Sequence, residues 1–174
     1  KDTGLPLTDA DGNQRTRQLN STKIELKRIQ KRILTLLMSH VEIPTYAFGG
    51  VPKKDNIKNA KYHQGNKYIF TTDLRSFFPS ISHNSVFEVY SNTGYSPTVA
   101  RILTKLKTYK YQLPQGVPTS TLLALLAFKP IGDKLYDYAL QHNLKFSIFV
   151  DDITISSKVD FKHLVPEVLD IIVS

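Results

Sequence analysis

Cysteine is absent from the 174 residues. That excludes a disulfide framework and any thiolate metal site, and it fits a reducing compartment such as the cytoplasm. Long hydrophobic runs are missing too. The longest, LLALLAF from Leu122 to Phe128, falls far short of the about 20 residues that a membrane-spanning helix needs, so no membrane partner is expected. The chain shows no signal-peptide pattern, no internal repeat and no low-complexity tract.

What is present suits a folded domain. Apolar residues make up 41% and charged residues 22%, and the length allows one domain or two small lobes with a real core. The net charge of +8 is unevenly spread. Residues 1–67 hold 13 Lys/Arg against 6 Asp/Glu, whereas residues 68–174 hold 10 against 9. A basic lobe beside a near-neutral one is the electrostatic footprint of a polyanion partner, although lysine-rich faces also serve solubility alone.

Residues 1–20 are polar, carry Gly, Pro and Asp-Gly, and read as an arm or loop. Thr22 and Glu25 fit a capping box that opens a helix through about Met38, with Leu26, Ile29, Ile33 and Leu37 on its buried face. IPTYAFGGVPKKDN then forms a flexible basic loop, and NIKNAKYHQ a short helix. KYIFTTDL, from Lys67 to Leu74, reads as a strand ending at Asp73. Two helices follow, each opened by a serine cap, then a loop around Pro114, Gln115 and Gly116. A long buried helix covers TSTLLALLAFKPIGDKLYDYALQH, and a last helix runs from about Asp160 to Ile172. This order fits an α+β fold, a split βαβ sheet covered by helices on one face.

Between the last two helices lies KFSIFVDDITISS, Lys145 to Ser157. Its flanks alternate as strands, yet no Gly, Pro or Asn marks the turn. Asp151 and Asp152 are expected together at the hairpin tip, where adjacent charges repel by about 1 kcal/mol when hydrated and about 4 kcal/mol when partly desolvated. A divalent cation would offset that cost; a plain polar turn is the simpler alternative. Asp73 ends a neighbouring strand and is expected to face Asp151 across the strand ends. Three converging carboxylates can hold two cations about 3.5–4 Å apart, the arrangement used for phosphoryl transfer. A helix cap is the plainer role for Asp73.

FTTDLRSFFPSI, LPQGVPTS and FVDDITIS, in this order and spacing, resemble motifs A, B and C of reverse transcriptases. NAKYH (Asn59, Ala60, His63) resembles an element of the bacterial retron-type and group II intron-type enzymes, and the similarity runs from about Gln18 to Ser157. The resemblance implies the fold and chemistry of a right-hand polymerase: a ferredoxin-like palm over residues 67–174, basic helical fingers over 1–66, and a contribution to the fingers from about 96–116. It implies an RNA-directed DNA polymerase that extends a primer 3′-OH with dNTPs using two Mg²⁺ ions, for which Mn²⁺ can substitute. The partners implied are an RNA template, a DNA or RNA primer and a structured noncoding RNA.

Residue by residue, the resemblance makes Asp73, Asp151 and Asp152 catalytic metal ligands, with the Leu74 carbonyl completing a shell. Arg75, Ser76, Phe77 and Phe78 would cradle the incoming triphosphate through backbone N–H groups. Phe78, five positions after Asp73 (78 − 73), matches the aromatic steric gate that rejects ribonucleotides; a core phenylalanine is the alternative. Gln115 and Gly116 match the turn that packs on the nascent base pair, where an ordinary Pro/Gly turn is the alternative. Lys53, Lys54, Lys58 and Lys61 are candidate template or phosphate contacts. His63 has no second His nearby at metal spacing, so a structural hydrogen-bonding role is expected of it.

Two residues depart from the family pattern. Phe149 stands where tyrosine is common, and Thr121 where many members have proline. The chain begins at Lys1 and stops within a helical pattern, so a fragment lacking the last palm strand and the thumb is expected. Untemplated or protein-primed DNA synthesis in phage defence, and an inactive RNA-binding polymerase-like domain, are the alternative functions.

Overall fold

The computed structural model describes residues 22–174. The expected N-terminal arm therefore lies outside the described residues. Helix α1 spans Ile24–His40, two residues beyond the expected end, and α2 spans Asn56–His63. Strand β1 (Tyr68–Asp73) runs into a single helical turn, α3 (Phe77–Ser80), followed by α4 (His83–Asn92) and α5 (Pro97–Lys107). The long helix α6 is Ser120–Gln141, the hairpin is β2 (Lys145–Phe149) and β3 (Asp152–Ser157), and α7 is Val165–Val173.

The expected capping box at the start of α1 does not form. Lys23 occupies the cap position without a side-chain bond, and the Thr22 hydroxyl instead donates to Gln30 Oε1 at 3.3 Å. A tertiary contact outcompetes the cap: buried Gln30 donates its Nε2 to the Leu106 carbonyl at 2.9 Å, satisfying an orphan acceptor near the end of α5. Turning Gln30 inward rotates the helix. The buried residues are Gln30, Ile33 and Leu37, while Ile29, expected inside, is 47% exposed. Serine caps do open the next pair, with Ser82 accepting from Ser85 N–H at 3.0 Å and Ser96 from Val99 N–H at 3.5 Å.

The three strands form an antiparallel sheet in the order β1-β3-β2. Alternation along the strands sorts the side chains. Phe146, Ile148, Ile153 and Ile155 enter the core, which they share with Leu122, Leu123 and Phe128 of α6. The opposite face was expected to be free of helices, but α2 covers one end of it. Buried His63 lies 2.7 Å from Ser147 Oγ through Nε2 and 2.6 Å from Ser156 Oγ through Nδ1, bridging β2 and β3. The outer edge of β2 is also occupied: Phe48 N–H donates to the Ile148 carbonyl at 2.8 Å and Ile148 N–H to the Tyr46 carbonyl at 2.9 Å. No helix among the described residues is long and apolar enough to cross a membrane.

Candidate active site

The β1–β3 register makes Asp73 the Cα partner of Asp152, and antiparallel partners project from the same face of the sheet. This differs by one residue from the expected pairing of Asp73 with Asp151. The cause is the turn. Phe149 pairs with Asp152, so Val150 and Asp151 form the two-residue tip, and Asp152 already belongs to the strand. Asp151 is tied in through its backbone, its carbonyl accepting from Leu74 N–H at 3.0 Å. Asp73 caps no helix, because the residue preceding α3 is Ser76.

The tip is strained. Val150 has φ +63°, a left-handed conformation that a β-branched residue adopts at a cost of about 1–3 kcal/mol. With a positive φ at the first tip position only, the turn is of the II′ kind, in which glycine is usual. Gly49 packs directly beneath it. A Cβ at Gly49 would collide with Val150 N and lie 2.8 Å from the Phe149 carbonyl carbon, so only glycine lets this loop reach the tip. Gly50, at φ +68°, is pressed equally closely onto Thr121 at the start of α6. A Gly-Gly pair in a sequence can signal such close approach, but its partner is visible only in three dimensions.

Burial pushes the Asp152 carboxyl above its ordinary value, and the negative charges of Asp151 and Asp73 push it further. Among the described residues no three His, Asp or Glu side chains converge into a ready-made metal cage. The donor set nevertheless fits a hard cation: Asp73 and Asp152 are exposed, Asp151 is half-buried, all offer oxygen ligands, and their mutual repulsion is what a cation relieves.

Immediately after Asp73, Leu74 is half-buried, Arg75 and Ser76 are exposed, and Ser76 takes a left-handed φ of +54° to turn the chain into α3. Phe77 and Phe78 are both buried, their ring centroids 5.7 Å apart. The second turn lies at the entrance to α6. Gly116 has φ +87°, Gln115 is half-buried, and Ser120 Oγ donates to the Pro114 carbonyl at 2.6 Å. Gln115 and Pro79 border one small cleft, which links this turn to α3.

The four lysines stand apart on the loop and helix before β1. Lys54 donates to the Thr45 carbonyl and sits 4.5 Å above the Phe48 ring, and Lys58 donates to the Lys53 carbonyl. Lys53 and Lys61 are exposed.

The family model described as reverse transcriptase (RNA-dependent DNA polymerase) matches residues 7–173. The retron Ec86 reverse transcriptase of Escherichia coli is 32% identical over 145 residues, 83% of this chain and 45% of that protein. The retron Se72 reverse transcriptase of Salmonella heidelberg (strain 579083-10) is 35% identical over 149 residues, 85% of this chain and 39% of that protein. The retron Mx65 reverse transcriptase of Myxococcus xanthus is 28% identical over 158 residues, 80% of this chain and 37% of that protein. The chain spans less than half the length of these relatives. With the match running over nearly all its residues, the chain belongs to the reverse transcriptase (RNA-dependent DNA polymerase) family, and its relatives are of the bacterial retron type.

Proposed function

We propose that this chain forms the fingers and palm of an RNA-directed DNA polymerase that extends a primer 3′-OH with dNTPs. The observation that carries the reading is the pairing of Asp73 with Asp152, reinforced by the Leu74–Asp151 backbone bond. Residues 67–174 are the palm, built on the β1-β3-β2 sheet. Residues 1–66 and about 96–116 are the fingers.

Asp73, Asp151, Asp152 and the Leu74 carbonyl would hold two Mg²⁺ ions, or Mn²⁺ in their place. When bound, the ions offset the charge that builds on the attacking and leaving oxygens of the phosphoryl transfer. The chain's own residues do the positioning. Backbone N–H groups from Arg75 to Phe78 face the triphosphate of the dNTP. The Phe78 ring closes the space beside the sugar C2′, and Gln115 with Gly116 packs on the nascent pair. Holding 3′-OH and α-phosphate in line supplies the proximity term of the rate. Lys53, Lys54, Lys58 and Lys61 lie on the template side, with the ammoniums of Lys53 and Lys61 free of the loop-carbonyl bonds that Lys54 and Lys58 make. The setting is the cytoplasm, and the partners are an RNA template, a DNA or RNA primer and a structured noncoding RNA.

The test is primer extension by the longest available form of the protein on a defined RNA template with dNTPs and Mg²⁺ or Mn²⁺. Template-complementary DNA, absent from an Asp151→Asn/Asp152→Asn variant, is the expected result. Product unrelated to the template would move the protein to untemplated synthesis. No product, with equal RNA binding by both forms, would leave an RNA-binding domain of polymerase shape.

A further inference from the structure

Between α5 and the Gln115 turn, Tyr109 and Gln112 exchange both backbone hydrogen bonds, at 2.9 and 3.0 Å, closing a two-residue hairpin. Its tip residues are Lys110, φ +49°, and Tyr111, φ +62°. Two successive positive φ values define a I′ turn, the geometry for which Asn-Gly is the favoured sequence. A lysine and a tyrosine are poor choices on conformational grounds.

Packing does not explain the choice either. Tyr111 is 83% exposed and Tyr109 54% exposed, although both are large aromatics. The Tyr111 and His83 ring centroids are 6.1 Å apart at 70°, and at its 83% exposure most of the Tyr111 ring is open to solvent. Lys110 Nζ lies 5.6 Å from the Tyr109 ring centroid. The hairpin borders a cleft of about 170 Å³ whose other walls include Pro79 and Gln115. Along the sequence no Asp or Glu occurs between Glu88 and Asp133, and the exposed Arg101, Lys105 and Lys110 fall within this stretch. Exposed aromatic faces, an adjacent ammonium and a surrounding segment without carboxylates are the ingredients of a site for unpaired nucleotides.

We propose that Tyr111, flanked by Lys110, is a stacking platform for an unpaired nucleotide of the template strand as it approaches the Gln115 turn. The inference rests on the polymerase reading for the identity of that strand. It also accounts for the strained turn, which keeps an aromatic ring where Asn-Gly would give a more stable tip.

The experiment measures binding by the longest form of the protein, in EDTA so that no turnover occurs. The probes are a blunt RNA–DNA duplex, the same duplex with a 5′ template overhang, and one with a 3′ primer overhang. Tyr111→Asn suits the left-handed backbone while removing the ring, so it keeps the fold. The expected result is that Tyr111→Asn binds the template-overhang duplex about 5- to 100-fold more weakly, leaves the blunt duplex unchanged, and that Tyr111→Phe restores wild-type affinity. A Lys110→Asn/Tyr111→Gly variant is expected to melt higher while losing the same overhang affinity. Equal loss on all three duplexes, loss confined to the primer overhang, a lowered melting temperature in the Asn-Gly variant, or no loss at all would overturn the proposal. The last outcome would assign the tip to contact with a protein. A wild type that shows the overhang preference yet extends no primer would sink the polymerase reading and leave the platform standing.

Discussion

Leu74 N–H donates to the Asp151 carbonyl at 3.0 Å, a single bond that joins the end of β1 to the tip of the β2–β3 hairpin. Beside it, Asp73 and Asp152 are register partners. The geometry of the three carboxylates is thus set by backbone pairing rather than by side-chain contacts, which mutual repulsion would loosen. Anything that shifts the hairpin tip shifts Asp151 relative to Asp73.

Gly49 is the most direct handle on that tip. A Gly49→Ala methyl would run into Val150 N and the Phe149 carbonyl carbon, both backbone atoms that cannot rotate aside. The expected outcome is at least about a tenfold loss of primer extension, since misplacement of about 1 Å at a reacting centre costs up to about a hundredfold. The loss should fall on kcat more than on KM for dNTP, with circular dichroism retained. Wild-type kcat in this variant would mean that the tip tolerates displacement.

His63 makes the hairpin's far end pH-sensitive. Burial, reinforced by the Lys145 ammonium, holds its imidazole down at about 4, so it is neutral while bridging Ser147 and Ser156. Its unfolded value is near 6.5. Between these two values the unfolded chain binds the extra proton, so the stabilisation is whole above pH 6.5 and lost as pH falls toward 4. The loss is on the order of 3 kcal/mol. Urea unfolding from pH 7 to 4 should show this slope in the wild type and a shallower one in His63→Asn. Equal slopes would remove His63 as its source.

Lys107 titrates the stability from the other side of neutrality. It is 1% exposed, its Nζ has no partner among the described residues, and burial lowers it to about 7. From pH 7 up to the unfolded value of 10.5 the unfolded chain binds more protons, so stability should rise with pH through this window. Lys107→Met keeps the stem and removes the buried charge. It should melt higher than wild type at pH 7 and lack the alkaline gain, by thermal melts at pH 7 and 9. A lower melting temperature would mean that the ammonium has a partner that stabilises it.

The elements were legible because each carried a local signature: alternation in β1 and β3, serine caps before α4 and α5, and an apolar run in α6. What escaped was decided by contacts distant in sequence. Gln30 turned inward, against its polarity, because the Leu106 carbonyl needed a donor 76 residues away. The hairpin register moved by one residue because the strained turn takes Val150 rather than a second aspartate, and a β-branched residue at positive φ has no sequence signal. Gly49 looked like loop flexibility and is instead a close-approach position. That Asp73, Asp151 and Asp152 lie at adjoining strand ends was readable, because each interrupts an apolar alternation.

Phe78 requires a gentler substitution than its expected role suggests. At 8% exposure it packs beside Phe77 in the core, so Phe78→Ala would open a cavity costing about 3–5 kcal/mol. Any change in sugar selectivity would then be entangled with loss of the fold. Phe78→Val removes the ring edge but leaves a branched stem to fill part of the space, at a smaller expected cost. If the ring closes the space beside C2′, the variant should incorporate ribonucleotides at least about tenfold better relative to dNTPs, because a wall that excludes a hydroxyl by sterics discriminates by about 1–3 kcal/mol. Ratios of kcat/KM for matched rNTP and dNTP pairs, measured with a thermal melt on the same sample, separate the two effects. Unchanged selectivity in a variant that still melts cooperatively would reduce Phe78 to a core residue.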